Sequence, residues 1–277
     1  MNPDNPLLTD WTTPFKIAPF DLIRPEHFKP AVEEAITVAK NEIEQIVANP
    51  GEPDFINTLE ALEWAGMLLS RITPILYNLN SSDTSSELQE AAREVSPLLT
   101  NFANDITLNP ELFRRVKSVY DRKEDLVTDK EQMILLDRRY RGFIRGGAGL
   151  SEKEKERFRE ITVELSTLAL KFEENVLAET NDFTLHLTTE DEIAGLPEGI
   201  LESAAALAGE KGMDGWLFTL HAPSYVPFMQ YAERRDLRET MLRAYGRRAF
   251  RNNEYDNRGL VIRIANLRLE MAKLLGY

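Results

Sequence analysis

Apolar residues recur every three or four positions along most of this chain. Val32, Ala35, Ile36, Ala39, Ile43, Ile46 and Val47 are the first clear instance. That period puts them on one face of a helix, which Asn49-Pro50-Gly51 ends. Asp54 offers a capping carboxylate for a second helix from Phe55 to about Asn80, with a bend expected at Thr73-Pro74. A third is predicted from Thr84 to about Leu108, with Pro97 as another kink. Asn109-Pro110 joins a capping residue to a proline at the first helical position and starts a fourth. Asp129 starts a fifth, which closes in Gly146-Gly147-Ala148-Gly149. Ser151 and Glu154 then form a capping box for a long helix, with Ile161, Leu165, Leu168, Phe172 and Val176 along one face.

Two stretches break this rhythm. Phe183–Thr188 and Trp216–His221 carry no helical period and read as strands. Between them Gly195, Pro197 and Gly199 mark a turn and Leu201–Gly209 a short helix. Helix resumes after Pro223, with breaks near Arg234 and at Asn252-Asn253. Leu260, Ile264, Leu267, Met271 and Leu274 form the last stripe, and Gly276 occupies the left-handed cap position that glycine fills most cheaply. An aromatic residue, Tyr277, follows this cap, so the chain is expected to lead into further protein. At the other end, Trp11, Pro14, Phe15, Pro19 and Phe20 describe an extended arm whose rings anchor it to the body. No internal repeat is found, which argues against a solenoid. The expected organisation is an arm at 1–24, a helical domain at 25–180, and a small β element with further helices at 181–277. The fold class is mainly α, with the β element near residues 183–221.

The remaining features narrow the function. The chain has 277 residues, enough for a large core, and 43% of them are hydrophobic, as in ordinary globular proteins. No run approaches the roughly 20 apolar residues that cross a bilayer, so no membrane span is expected. The N-terminus has neither a basic nor an apolar region of a secretory signal. There are no cysteines, which removes disulfides, thiolate metal sites and a thiol nucleophile. A cytoplasmic location is the expectation, with export by a removed signal as the alternative. A net charge of −13 lacks the basic footprint of a nucleic-acid binder, so no nucleic-acid partner is expected. From Phe228 to Lys273, however, eleven Lys/Arg face six Asp/Glu, a net of +5. That surplus reads either as solvated helices laced with ion pairs or as a surface for acidic groups, such as a partner domain or the carboxylates of a peptide.

Candidate chemistry is sparse. The three histidines, His27, His186 and His221, include no pair at the four-residue spacing of a helical zinc motif. His186 and His221 lie on the two predicted strands and could approach if these pair, as polar partners on a sheet face in preference to a two-histidine site with a carboxylate. The glycine-rich segment 142–151 lacks the Gly-Lys-Ser/Thr of a phosphate loop and reads as a helix connection. Ser224 has no flanking elbow glycines. Glu173-Glu174 and Asp191-Glu192 read as wetted acidic faces. Peptide, phosphate or glycoside hydrolysis requires accelerations of roughly 10⁶-fold or more, and nothing in the sequence is placed to supply them.

Seven stretches together carry a resemblance: PFDLIRPEHFKPAVEEA (19–35), PDFINTLEALEWAGMLLSRIT (53–73), ANDITLNPELFRRV (103–116), LALKFEENVLAET (168–180), GLPEGI (195–200), GWLFTLHAPSYVPFMQYAERRDLRETMLRAYGRRA (215–249) and DNRGLVIRIANLRLEMAKLLGY (256–277). In order and spacing they resemble peptidyl-dipeptidases (dipeptidyl carboxypeptidases) of the thimet oligopeptidase / oligopeptidase A family of zinc metallopeptidases. The resemblance implies a largely helical, two-lobed shell with a deep channel for short peptides, of which this chain is an N-terminal portion. The family's zinc site, a His-Glu-x-x-His helix with a downstream Glu, matches no position here. The implied assignment is therefore zinc in the full-length parent and none bound by this chain, no catalytic or metal residue here, and substrate contacts unknown. The partners implied are short peptides and a missing C-terminal catalytic domain. The expected role is walling the channel, with the strand around Trp216–His221 facing it. The alternatives are an endo-oligopeptidase of the same family, or a stand-alone non-catalytic module that binds peptides or proteins.

Overall fold

A computed structural model describes residues 5–127 and 129–277. Residues 1–4 of the expected arm lie outside that range. Two compact units emerge: residues 1–168 with 265–277, and residues 169–264.

The first unit holds helices α1 (Phe28–Val47), α2 (Ala61–Trp64), α3 (Met67–Ser82), α4 (Ser86–Thr107), α5 (Pro110–Asp121), α6 (Lys123–Leu126), α7 (Lys130–Arg145) and the start of α8 (Glu152–Asp182). The expected stripe on α1 is its buried face, and Ala31, Ala35 and Ala39 make a shallow groove against which α3 and α4 pack. A second cluster joins Leu112, Val116 and Val119 of α5 to Leu136 and Phe143 of α7. Over it Tyr120 and Tyr140 stack with ring centroids 3.9 Å apart.

The expected caps form. Asn109 Oδ1 accepts from the amides of Glu111 and Leu112, both at 3.0 Å. Asp129 Oδ1 accepts from Glu131 and Gln132 at 2.8 and 3.0 Å. Glu154 accepts from the Ser151 amide at 2.9 Å. Each satisfies donors that the first helical turn leaves open.

The second helix departs from expectation. Instead of one rod bent at Pro74, a π-helical turn (Phe55–Glu60) leads into α2, and the chain breaks at Ala65-Gly66. Gly66 adopts φ +78°, and its amide donates to Glu42 Oε2 at 2.7 Å, which pins the break to α1. The two prolines, Pro74 in α3 and Pro97 in α4, each remove one amide from a helix that continues through them. A left-handed residue redirects the chain, whereas a lost hydrogen bond alone need not.

The arm is tied down by fewer rings than expected. Arg71 donates to the Leu7 and Thr9 carbonyls at 3.0 and 3.2 Å and lies 4.6 Å from the Trp11 ring centroid. Phe15 and Phe20 instead face solvent. Elsewhere Asp105 on α4 bridges Lys40 of α1 at 2.8 Å and Arg159 of α8 at 2.7 Å. Burial pushes its carboxyl up, but the bonds from Lys40 and Arg159 outweigh this and hold it below the usual range.

The second unit contains the end of α8, β1 (Thr184–Leu187), α9 (Glu198–Glu210), β2 (Trp216–Thr219), α10 (Ala222–Tyr231), α11 (Arg235–Gly246) and the start of α12 (Arg258–Leu274). The strands pair antiparallel, from Thr184 opposite Thr219 to Leu187 opposite Trp216. They are shorter than predicted because His221 already serves as the N-cap residue of α10. Leu187, Phe218, Leu220, Phe228 and Met241 form the core here, with Phe218 edge-on to Phe228 at 4.8 Å. The fold is thus mainly α with one small β element, as the pattern indicated.

Gly215 leads into β2 at φ +87°, and a Cβ there would lie 2.3 Å from the Leu187 carbonyl oxygen. Gly215→Ala combines left-handed strain with a backbone clash. It is expected to cost about 2 kcal/mol or more in urea unfolding. At the far end of α12 the Gly276 and Tyr277 amides bond to Lys273 and Ala272 at 3.2 and 2.9 Å, the expected glycine cap.

Candidate functional site

In the second unit, the last two turns of α8 carry polar side chains on the buried face. Glu174, Asn175, Glu179 and Thr180 are all buried. Asn175, Glu179 and Thr180 find partners in the connection between α11 and α12. The carboxylate of Glu179, 2% exposed, accepts from the Ala249 amide at 3.1 Å and from Asn253 Nδ2, and lies 3.8 Å from Arg251. Asn175 Nδ2 donates to Asn257 Oδ1 at 2.8 Å, and Asn257 Nδ2 donates to the Phe172 carbonyl at 3.0 Å. A buried carboxylate is tolerated only when its oxygens are bonded in this way.

These anchors hold an unusual backbone. Ala249 and Asn252 adopt φ +54° and +58°, the left-handed region that non-glycine residues seldom enter. Asp256 fastens the far end, taking bonds from Arg258 Nε at 2.8 Å and the Asn252 amide at 2.6 Å. Arg258, through its side chain and then its amide, holds the Asp256 carboxyl well below the usual carboxylate range.

The fastened loop fixes one guanidinium. Arg248 Nη1 donates to Thr180 Oγ1 at 2.9 Å and Nε to the Tyr245 carbonyl at 3.0 Å. Its carbon centre lies 3.6 Å from the Tyr245 ring centroid, and that ring stacks on Tyr225 at 4.3 Å. Burial pushes the Tyr225 hydroxyl up, and Tyr245 adds to this while Arg248 opposes it. The stack leaves Nη2 of a pre-oriented arginine as the donor unused by either bond. Such a group suits a carbonyl or carboxylate acceptor and supplies neither a nucleophile nor a base.

The residues singled out in the sequence are scattered. His186 lies opposite Leu217 in the sheet, whereas His221 falls beyond the end of β2 as the N-cap residue of α10, so strand pairing does not set the two opposite each other. His186 Nε2 lies 2.6 Å from the Asp214 carbonyl, and His27 Nδ1 accepts from the Arg24 amide at 3.0 Å. Among the described residues no group of three or more His, Asp or Glu side chains is placed to hold a metal. The donors present do not fit a zinc site. Ser224 Oγ accepts from the Thr219 amide at 3.0 Å. That bond ties the end of β2 to the first turn of α10, and α9 packs against the same strand. The 142–151 segment connects α7 to α8. Glu192 caps the Thr188 and Thr189 amides at 3.0 Å each, and Asp191 pairs with Arg234 at 2.6 Å. Glu173 faces solvent, but Glu174 is buried, contrary to a wetted pair.

Much of the basic surplus is neutralised locally. Arg234 bonds Asp191 and Asp236, Arg243 bonds Glu239 at 2.7 Å, and Arg258 bonds Asp256. The break at Asn252-Asn253 falls in this loop as expected, but the Arg248 stack was not recognised in the sequence. The signal available was GRRAFRNN (246–253), two adjacent arginines followed by residues tolerant of turns.

No protein-family model matches the chain. Over 274 residues it is 35% identical to the dipeptidyl carboxypeptidase of Escherichia coli (strain K12), an alignment spanning 99% of this chain and 40% of that protein. Identity to oligopeptidase A of the same organism is also 35%, over 277 residues, with the same shares covered. With oligopeptidase A of Haemophilus influenzae it is 36% over 281 residues, 100% of this chain and 40% of the relative. The chain thus spans about 40% of the length of the curated relatives it matches. No helix among the described residues is long and apolar enough to cross a membrane.

Proposed function

We propose that this chain, a sequence relative of dipeptidyl carboxypeptidase and oligopeptidase A along its whole length, is the non-catalytic helical wall of a zinc oligopeptidase whose reacting groups lie outside it. The observation that carries the reading is the alignment itself: 99% of the chain matches 40% of a peptidase at 35% identity. The whole protein would release dipeptides from the free C-termini of short peptides in the cytoplasm. The part described here would restrict the channel to unfolded chains by size. Zinc chemistry belongs, on this reading, to the remainder of the protein. Arg248 is the residue we assign to peptide contact, since its free Nη2 matches the carbonyl and carboxylate acceptors of such substrates.

One feature favours a body made to be covered. Val261 and Ile262, in the part of α12 that belongs to the second unit, are both exposed apolar side chains. Neighbouring exposed apolar groups suit packing against more protein. The purified chain is expected to release no dipeptide from a tetrapeptide with a free C-terminus, with or without added zinc. Zinc-dependent release by the chain alone would overturn the assignment.

The endo-oligopeptidase reading has equal support from the identity to oligopeptidase A. C-terminally amidated peptides separate the two in the same assays of the whole protein. Only an endo-acting enzyme should cut them at internal bonds.

A further inference from the structure

The first unit contains a cavity of about 390 Å³ that none of the above uses. Its wall includes Ile43 of α1, Leu62 of α2, Phe102 of α4 and Phe143 of α7, all buried and all apolar. Charge is confined to three further lining side chains, Glu63, Arg138 and Arg139. Glu63 and Arg139 are bonded to each other. Arg138 is exposed and has no hydrogen-bond or ion-pair partner among the described residues. Those three groups sum to a single positive charge, carried by the one that is free.

Local sequence keeps the site open. Arg138 and Gly142 are four apart on α7, hence on the same face, and a Cβ at Gly142 would meet nothing within 4 Å. A larger residue there would project into the space over which Arg138 stands. Glycine in a helix interior is a destabilising choice, and here no backbone strain requires it.

We propose that this cavity binds an amphipathic monocarboxylate, with its apolar body among Ile43, Leu62, Phe102 and Phe143 and its carboxylate on Arg138. A cation would meet two arginines, and a polyanion would meet the Glu63 carboxylate beside a single free donor group. An apolar amino-acid residue with a free C-terminus and a medium-chain fatty acid share the required chemistry. The inference does not depend on the peptidase reading, since it uses only the first unit.

Calorimetric titration of the full chain with N-acetyl-phenylalanine, its uncharged amide and octanoate tests it. At least one acid is expected to bind at least tenfold more tightly than the amide. Stronger binding of N-acetyl-phenylalanine identifies a peptide-like source, and stronger binding of octanoate a lipid one. Arg138→Gln is expected to weaken the acid about tenfold. Gly142→Leu is expected to abolish binding while leaving the thermal midpoint unlowered, because leucine is the better helix former and open space surrounds the position. The proposal is overturned if neither acid binds at millimolar concentration, if acid and amide bind equally, or if Gly142→Leu binds like the original chain.

Discussion

Phe228→Ala is expected to lose about 3–5 kcal/mol of stability, the largest effect of any single change considered for this protein. Phe228 is fully buried in α10, and its ring meets Phe218 edge-on, so truncation removes both transfer energy and an aromatic pair. The surrounding side chains, Leu187 of β1, Leu220 of the turn after β2 and Met241 of α11, are held by separate segments and cannot all collapse into the vacated space. Urea unfolding followed by far-UV circular dichroism measures the loss. Phe228→Leu should recover more than half of it, because most of the volume returns. An unchanged midpoint for the alanine variant would show that this core is not closely packed.

Glu179→Ala is expected to cost about 2–4 kcal/mol by a different route. The substitution leaves the Ala249 amide and Asn253 without their acceptor inside the unit, and the left-handed residues 249 and 252 lose what holds them there. Limited trypsinolysis reports the consequence locally. Arg247, Arg248 and Arg251 all lie in the affected loop, so cleavage there should accelerate well before global unfolding. Glu179→Gln keeps one acceptor oxygen and is expected to lie between the two. Protease resistance equal to the original protein would mean the loop is held by its own Asp256 and Arg258 bonds instead.

These two residues also show what the sequence made legible. Helices announced themselves because their signals are local. Asn109-Pro110, Asp129 and Ser151 with Glu154 each need only the next three residues to satisfy their amides. The α1 stripe was equally plain, since a buried helical face has a fixed period. The break at Gly66 was missed because proline at 74 was a louder local signal, while the redirection depends on Glu42, distant in sequence. Glu174 was misread for the same kind of reason. An acidic residue in a long helix normally faces water, and nothing nearby in the chain indicates that this one is buried. The Arg248 stack combines Thr180, Tyr225 and Tyr245, brought together only by the tertiary fold. The two histidines failed in the opposite direction. The two strands do pair, but β2 ends at Thr219, so His221 lies outside the sheet and belongs to the start of α10.

Gly66 carries one more implication, for natural variation. Space around it is ample, since the nearest atom to a Cβ would be the Ala39 methyl at 3.7 Å. The filter on this codon is therefore one of backbone handedness and is indifferent to side-chain volume. Asparagine, which tolerates that handedness, is an admissible exchange; alanine, smaller and a better helix former, is not. Mutational drift at this joint would thus follow an order unrelated to residue size or polarity.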